Sequence, residues 1–259
     1  MHVTQTAGLA LATDLATKES HPRVVSLMYM MQLVGMVGTG FIFGYFLQDF
    51  TPVKLIQVVQ GAAVVSAILH VTALWKQEAR NPARTTGESK TEEFGTLWRR
   101  FIAEPRARRF LVALGLGTAA FAMQDVILEP YGAEVLGLTV SETTTLTAIM
   151  ALGSILAFAT AARTLARGND PARLAAYGIL IGIAAFTTVI MAAPLQSANI
   201  FRLGTFGIGL GGGLFAVSTL TMAMSFDHRM GIGLALGAWG AVQATAAGSA
   251  MGLGGIMRD

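Results

Sequence analysis

Hydrophobic residues along this chain fall in long runs separated by short polar segments. The runs are Val24–Phe46, Leu55–Trp75, Phe110–Leu128, Glu142–Ala162, Leu174–Ala193, Phe201–Ser225 and Met230–Met257. A hydrocarbon core about 30 Å thick takes roughly 20 helical residues at about 1.5 Å each, so each run predicts a membrane-spanning helix. Residues 1–15 (MHVTQTAGLALATDL) are apolar but too short to span, and they lack the basic leader and cleavage site of a signal peptide. They read as the end of a further helix whose beginning is missing. The predicted fold class is an all-α polytopic membrane protein with seven full transmembrane helices plus the end of an eighth.

The polar segments supply the orientation. Of 18 Lys and Arg, 15 lie in the alternate loops 16–23, 76–109, 163–173 and 226–230, and only Lys54, Arg202 and Arg258 lie elsewhere. Translocation disfavours these residues, so the four loops are predicted to be cytoplasmic. The opposite segments carry Asp49, Glu129, Glu134 and Glu142. Within the longest loop, Asn81-Pro82 and Thr85–Ser89 break regular structure, and residues 82–92 lack the apolar anchors that would offset the cost of ordering them. Phe94, Leu97, Trp98 and Phe101 have the spacing of a surface helix lying in the interface.

Composition agrees. The chain of 259 residues is 53% hydrophobic and 13% charged, about half the charge of a soluble domain. A pI near 9.5 would suggest nucleic acid if the charge were gathered on one soluble face; its confinement to loops is explained by orientation instead, and no nucleic-acid partner is expected. With no cysteine, disulfides, thiolate metal sites and a cysteine nucleophile are excluded.

Candidate chemistry gathers around Phe110–Tyr131 (FLVALGLGTAAFAMQDVILEPY). Fifteen uncharged residues run from Phe110 to Gln124, then come Asp125 and Glu129, and Pro130 is expected to end the helix. Asp125 and Glu129 share a helical face with Thr118, roughly 22 Å along the helix from Phe110 for Asp125. A polar stripe at that depth faces protein or a wet cavity rather than lipid. Arg202 stands at the same outer level, against the charge pattern of the other external segments. Gln124, Asp125, Glu129, Tyr131 and Arg202 are the candidate binding or outer-gate cluster, in which Arg202 either snorkels at the membrane edge or neutralises one or both acids, with Tyr131 capping it.

Gly207–Gly212 fits the spacing G-x-G-x-x-G, but it lies inside an apolar helix rather than after a strand, so it reads as packing glycine and not a nucleotide site. The commoner pattern is G-x-x-x-G, including Gly40/Gly44, Gly207/Gly211, Gly233/Gly237 and Gly248/Gly252, where missing side chains let helices approach. His2, His21, His70 and His228 form no metal-ligand spacing, and no metal site is expected. His70, inside the second span, is a candidate pigment ligand whose plainer role is an interhelical hydrogen bond. Nothing in the sequence has the arrangement of a catalytic triad, and no enzyme is expected.

Several stretches carry a family resemblance: TQTAGLALATDLA (4–16), PRVVSLMYMMQLVGM (22–36), LIQVVQGAAVV (55–65), ALWKQEAR (73–80), QDVILEPYGAEVLGLTVSETT (124–144), RLGTFGIGLGGGLFAVSTL (202–220) and LALGAWGAVQATAAG (234–248). They resemble the PucC-type light-harvesting complex assembly proteins, a bacteriochlorophyll-related branch of the major facilitator superfamily. The resemblance implies twelve-helix relatives built of two six-helix halves. On that template, 1–75 is the remnant of an N-terminal bundle (end of helix four, helices five and six), 76–109 a cytoplasmic linker with an interfacial helix, and 110–259 a C-terminal bundle of helices seven to eleven. The chain is thus expected to be truncated at both ends. Helices seven and ten of the template line one cavity, which is what would bring Arg202 to Asp125 and Glu129. The implied role is an inner-membrane assembly factor of a phototrophic bacterium that binds antenna polypeptides, bacteriochlorophyll or both within the lipid bilayer. The superfamily alone would instead suggest a secondary transporter of a small molecule.

Overall fold

The structure, a computed structural model, describes residues 8, 11, 16, 17, 20–46, 51–75, 93–226 and 232–258. The fragment 1–15, segment 82–92 and loop 226–230 of the sequence reading therefore lie largely outside the described residues. Those described are helical, in the order α1 (His21–Phe46), α2 (Pro52–Leu74), α3 (Phe94–Ala103), α4 (Pro105–Leu136), α5 (Val140–Ala166), α6 (Pro171–Ala192), α7 (Ala198–Met224) and α8 (Ile232–Arg258). Five of them, α2, α4, α5, α6 and α7, are long and apolar enough to cross a membrane by length and composition. This is a polytopic membrane protein.

Local signals set the helix ends. Pro52, Pro105 and Pro171 stand at the first positions of α2, α4 and α6, where the missing N–H costs nothing. The Thr51, Thr139, Asp170 and Ser197 side chains cap α2, α5, α6 and α7 by accepting from backbone N–H groups. One expected end is corrected. Pro130 does not terminate α4 but lies inside it, and the helix runs on to Leu136. The stop comes from Gly137, left-handed at φ 65°, and the Leu138 N–H closes the turn on Gly132 O at 3.1 Å. A membrane helix tolerates an interior proline because neighbouring groups can satisfy the freed carbonyl.

The chain divides into two compact units, Met1–Met30 with Phe94–Asp259, and Met31–Glu93. In the larger unit α7 is central, packed most extensively on α6 and then on α5, while α8 pairs with α4. Glycine makes these approaches. A Cβ on Gly211 would stand 2.6 Å from Gly178 O, one on Gly207 2.8 Å from Ala185 Cβ, and one on Gly213 2.7 Å from Ala157 Cβ. On Gly209 it would collide with Met150 O. The packing expected of Gly207 and Gly211 is therefore present. That expected of Gly233 and Gly237 is not: a Cβ at either, or at Gly248 or Gly252, meets nothing within 4 Å. Side-chain surroundings at Gly40 and Gly44 lie outside those described. α3 packs on α4, with Phe101 buried and its ring 5.6 Å from that of Phe226, which also meets Phe110 at 5.4 Å.

The smaller unit holds the second half of α1 and all of α2. A cleft of about 640 Å³ is lined by Ile42, Phe43 and Phe46 of α1 and by Val58, Val65 and Leu69 of α2, among others, with Lys54 at one end. None of the α2 apolar window is buried.

Candidate functional site

The candidate cluster stands where α4 ends, α5 begins and α7 begins. Beneath it lies an apolar plug of Leu128, Leu138, Leu146, Val189, Phe201 and Ile208 with their neighbours. Tyr131 of α4 lies against Phe201 of α7, ring centroids 5.9 Å apart at 30°. A Cβ on Gly132 would come within 2.9 Å of the same Phe201 ring, so the α4 backbone approaches α7 closely at this end. Tyr131 and Arg202 therefore stand at one end of the bundle.

The polar contacts are distributed differently from the expectation. Arg202 Nη2 pairs with Glu142 Oε1 at 3.3 Å, and Arg202 Nη1 donates to Asn199 Oδ1 at 3.3 Å. The ion pair of Arg202 is thus to Glu142 at the start of α5, not to Asp125 or Glu129. Glu129 accepts from Thr147 Oγ1 of α5 at 3.2 Å. Asp125 accepts from its neighbour Gln124, whose amide also lies 3.6 Å from Met150 Sδ. Gln124 is buried and Asp125 exposed. Asp125, Glu129 and Glu142 are spread over separate partners, which avoids the like-charge conflict that a shared site would impose.

Glu142, from the sequence an acid of the outer segments and the first residue of a span, is the partner that Arg202 meets. Thr139 and Glu142 form a capping box: Glu142 Oε2 accepts from the Thr139 N–H at 3.0 Å and from its hydroxyl at 3.0 Å. These bonds, with the Arg202 guanidinium as a smaller contribution, hold the Glu142 carboxyl below the usual carboxylate range. The spacing Thr-x-x-Glu at 139–142 was the available signal. It fixes the carboxylate at the first turn of α5, where Arg202 reaches its free oxygen.

Chemically this arrangement ties α4, α5 and α7 together at one end. Among the described residues no group of three or more His, Asp or Glu could hold a metal ion. His70 stands apart, on exposed α2, and its Nδ1 lies 2.7 Å from Ser66 O of the same helix. The expected interhelical bond is replaced by an intrahelical one. Since a carbonyl only accepts, Nδ1 is the donor in this contact, and Nε2 is the ring nitrogen that it leaves unused.

A family model described as PUCC protein matches residues 1–259. Protein PucC of Rhodovulum sulfidophilum is 48% identical over all of this chain, which covers 58% of that protein. Protein PucC of Cereibacter sphaeroides is 48% identical, again over all of this chain and 56% of its own length. An uncharacterized protein in the puhA-bchM intergenic region of Rhodobacter capsulatus is 49% identical over all of this chain and 54% of that protein. The chain therefore spans little more than half the length of these curated relatives. No solved structure matches it. Matched from its first residue to its last, the chain belongs to the PucC protein family.

Proposed function

We propose that this chain works as, or as part of, a non-enzymatic inner-membrane assembly factor for the light-harvesting antenna of a phototrophic bacterium, receiving antenna polypeptides while the complex is built. Family membership supports the setting. The observation that carries the role is α2, a span with none of its apolar window buried and a cleft of about 640 Å³ on one side. Apolar helix faces of this kind suit single-span partner helices, because packing in lipid rests on close side-chain and backbone contact rather than on water exclusion.

Bacteriochlorophyll fits the same reading through His70. An imidazole with Nδ1–H fixed on Ser66 O presents Nε2 as a ligand, and a buttressed histidine is the usual donor to a metal centre. When bound, bacteriochlorophyll would supply a magnesium that takes a nitrogen ligand, and His70 would hold it. Affinity purification of the full-length protein from phototrophic cells tests both parts. Antenna polypeptides should co-purify, and pigment recovery should fall in His70→Ala while the antenna polypeptides remain. Recovery of the protein free of antenna polypeptides under antenna-forming growth would remove the assembly reading.

The orientation belongs to the same proposal, with 16–23, 76–109, 163–173 and 226–230 cytoplasmic. Single cysteines at Thr86 and Leu195 in this cysteine-free chain report it. An impermeant thiol reagent on cells with a permeabilised outer membrane should label Leu195→Cys, exposed between α6 and α7, and spare Thr86→Cys. The reverse pattern would invert the topology.

A further inference from the structure

Four buried polar side-chain atoms among the described residues have no hydrogen-bond partner: Ser26 Oγ, Tyr29 Oη, Ser218 Oγ and Trp239 Nε1. In hydrocarbon surroundings there is no water to satisfy such a group, so each requires a reason. Three of them lie on two helix faces, one of α1 and one of α8, that meet where Gln243 stands beside Tyr29. Ser26 and Tyr29 are three residues apart on α1, and Trp239 and Gln243 are four apart on α8, so each pair shares a helix face. The Gln243 side chain lies beside the Tyr29 hydroxyl without completing a hydrogen bond of good geometry. Phe158 of α5 stacks on Tyr29 with ring centroids 5.3 Å apart and forms a third wall. Depth agrees: Tyr29, Phe158 and Trp239 all lie about 10–12 Å from the nearer end of their helices. Ser218 belongs elsewhere. It follows Leu214 by one turn on the α7 face that meets Gly178 of α6.

The chemistry of the atoms restricts what they can hold. The indole N–H only donates, the two hydroxyls donate or accept, and the Gln243 amide does both. None of the four side chains is charged, so an anion or a cation would lack a counter-charge here. We infer that Ser26, Tyr29, Trp239 and Gln243 form an internal site for an uncharged guest that presents an acceptor oxygen beside the stacked rings of Tyr29 and Phe158, on the α8 face that carries Trp239 and Gln243. The oxygen comes from a bound water or from the carbonyl of an amphiphile entering from the bilayer. Either source supplies what Trp239 Nε1 and Tyr29 Oη lack, and joins the start of α1 to α5 and α8. The site is independent of the assembly reading.

The sign of a stability change tests it. Tyr29→Phe keeps the ring and removes the hydroxyl, and Ser26→Ala removes the second oxygen; both are made in the full chain in lipid nanodiscs. If the seam is dry, each substitution removes an unmet polar group and the Tm rises or stays level. With a guest, each lowers the Tm by about 2–4 °C, and the double variant loses less than the sum because both contact one guest. Organic extraction and mass spectrometry then separate the sources. An amphiphile retained by the unmodified chain and lost from Tyr29→Phe identifies the carbonyl; the same Tm loss with nothing retained identifies water. A Tm that is raised or unchanged in both single variants overturns the site.

Discussion

The apolar windows of α7 and α2 have similar mean hydropathy, 1.5 and 1.7, yet 56% of the first is buried and none of the second. Hydropathy places both in a membrane and says nothing about which will be covered by protein. Small residues make the difference. α7 carries Gly204, Gly207, Gly209, Gly211, Gly212 and Gly213 within ten positions, whereas α2 has Gly61 alone. Where glycine meets a small face on a neighbour, such as Gly178, Gly182 and Ala185 on α6 or Gly153 and Ala157 on α5, backbones approach and dispersion accumulates. α8 shows that glycine alone is insufficient, since Gly233, Gly237, Gly248 and Gly252 face open space.

The comparison breaks most severely at Gly209. Gly209→Ala drives a methyl group into Met150 O of α5, where neither backbone can yield easily, and should cost about 1–3 kcal/mol or leave the chain unfolded. Thermal unfolding in detergent measures it; a Tm equal to that of the unmodified chain would contradict the packing of α7. Gly61→Ala on α2 should act in the opposite direction. It meets nothing within 4 Å and improves helix propensity by about 0.5–1 kcal/mol, so its Tm should rise. Gly61→Leu sharpens the contrast, because Gly61 lines the cleft: the chain should fold as before while antenna polypeptides co-purify less.

Smaller effects are expected at the end of the bundle. Arg202 and Glu142 are 36% and 41% exposed in their side chains, so solvent screens the pair and its contribution to stability is small. Arg202→Glu should lower the Tm slightly, and adding Glu142→Arg should recover it, whereas adding Asp125→Arg should not. Equal recovery by both would mean that Arg202 does not distinguish its acids. The smallest effect is in pH. The carboxyl of Glu142 is held below its ordinary value of 4.5, so its contribution is fully present above that pH and is lost as pH falls through the lowered value. Glu142→Gln should flatten this part of the acid limb, and an unchanged profile would assign the loss to other carboxylates.

Periodicity and run length made the helices legible. The run Val24–Phe46 becomes α1 from His21, and Leu174–Ala193 becomes α6 from Pro171, because the proline and cap signals lie just outside the apolar stretch. Pro130 was misread because proline is weighed as a breaker, and that weight comes from helices in water. In the candidate cluster, levels along the helices can be counted from sequence, and the structure sets Tyr131 against Phe201. Partner choice could not be counted. Arg202 has several acids near its level, and which one it meets depends on how α5 is rotated and capped, a matter of angle rather than depth. The outward turn of the α8 glycines is hidden for the same reason.

Pro130 also divides α4 in time as well as in sequence. Having no amide hydrogen, it leaves the Val126 carbonyl without its helical donor, so the ladder of α4 is interrupted once, just before Tyr131 and the closing turn at Gly137. Residues 131–136 can then open without unzipping the rest of the span, as a short cooperative segment of their own. Amide hydrogens there should exchange with solvent faster than those of 110–125. The stacking of Tyr131 on Phe201 would then make and break on the timescale of that local opening, while Leu114 and Phe110 stay protected until the whole bundle unfolds.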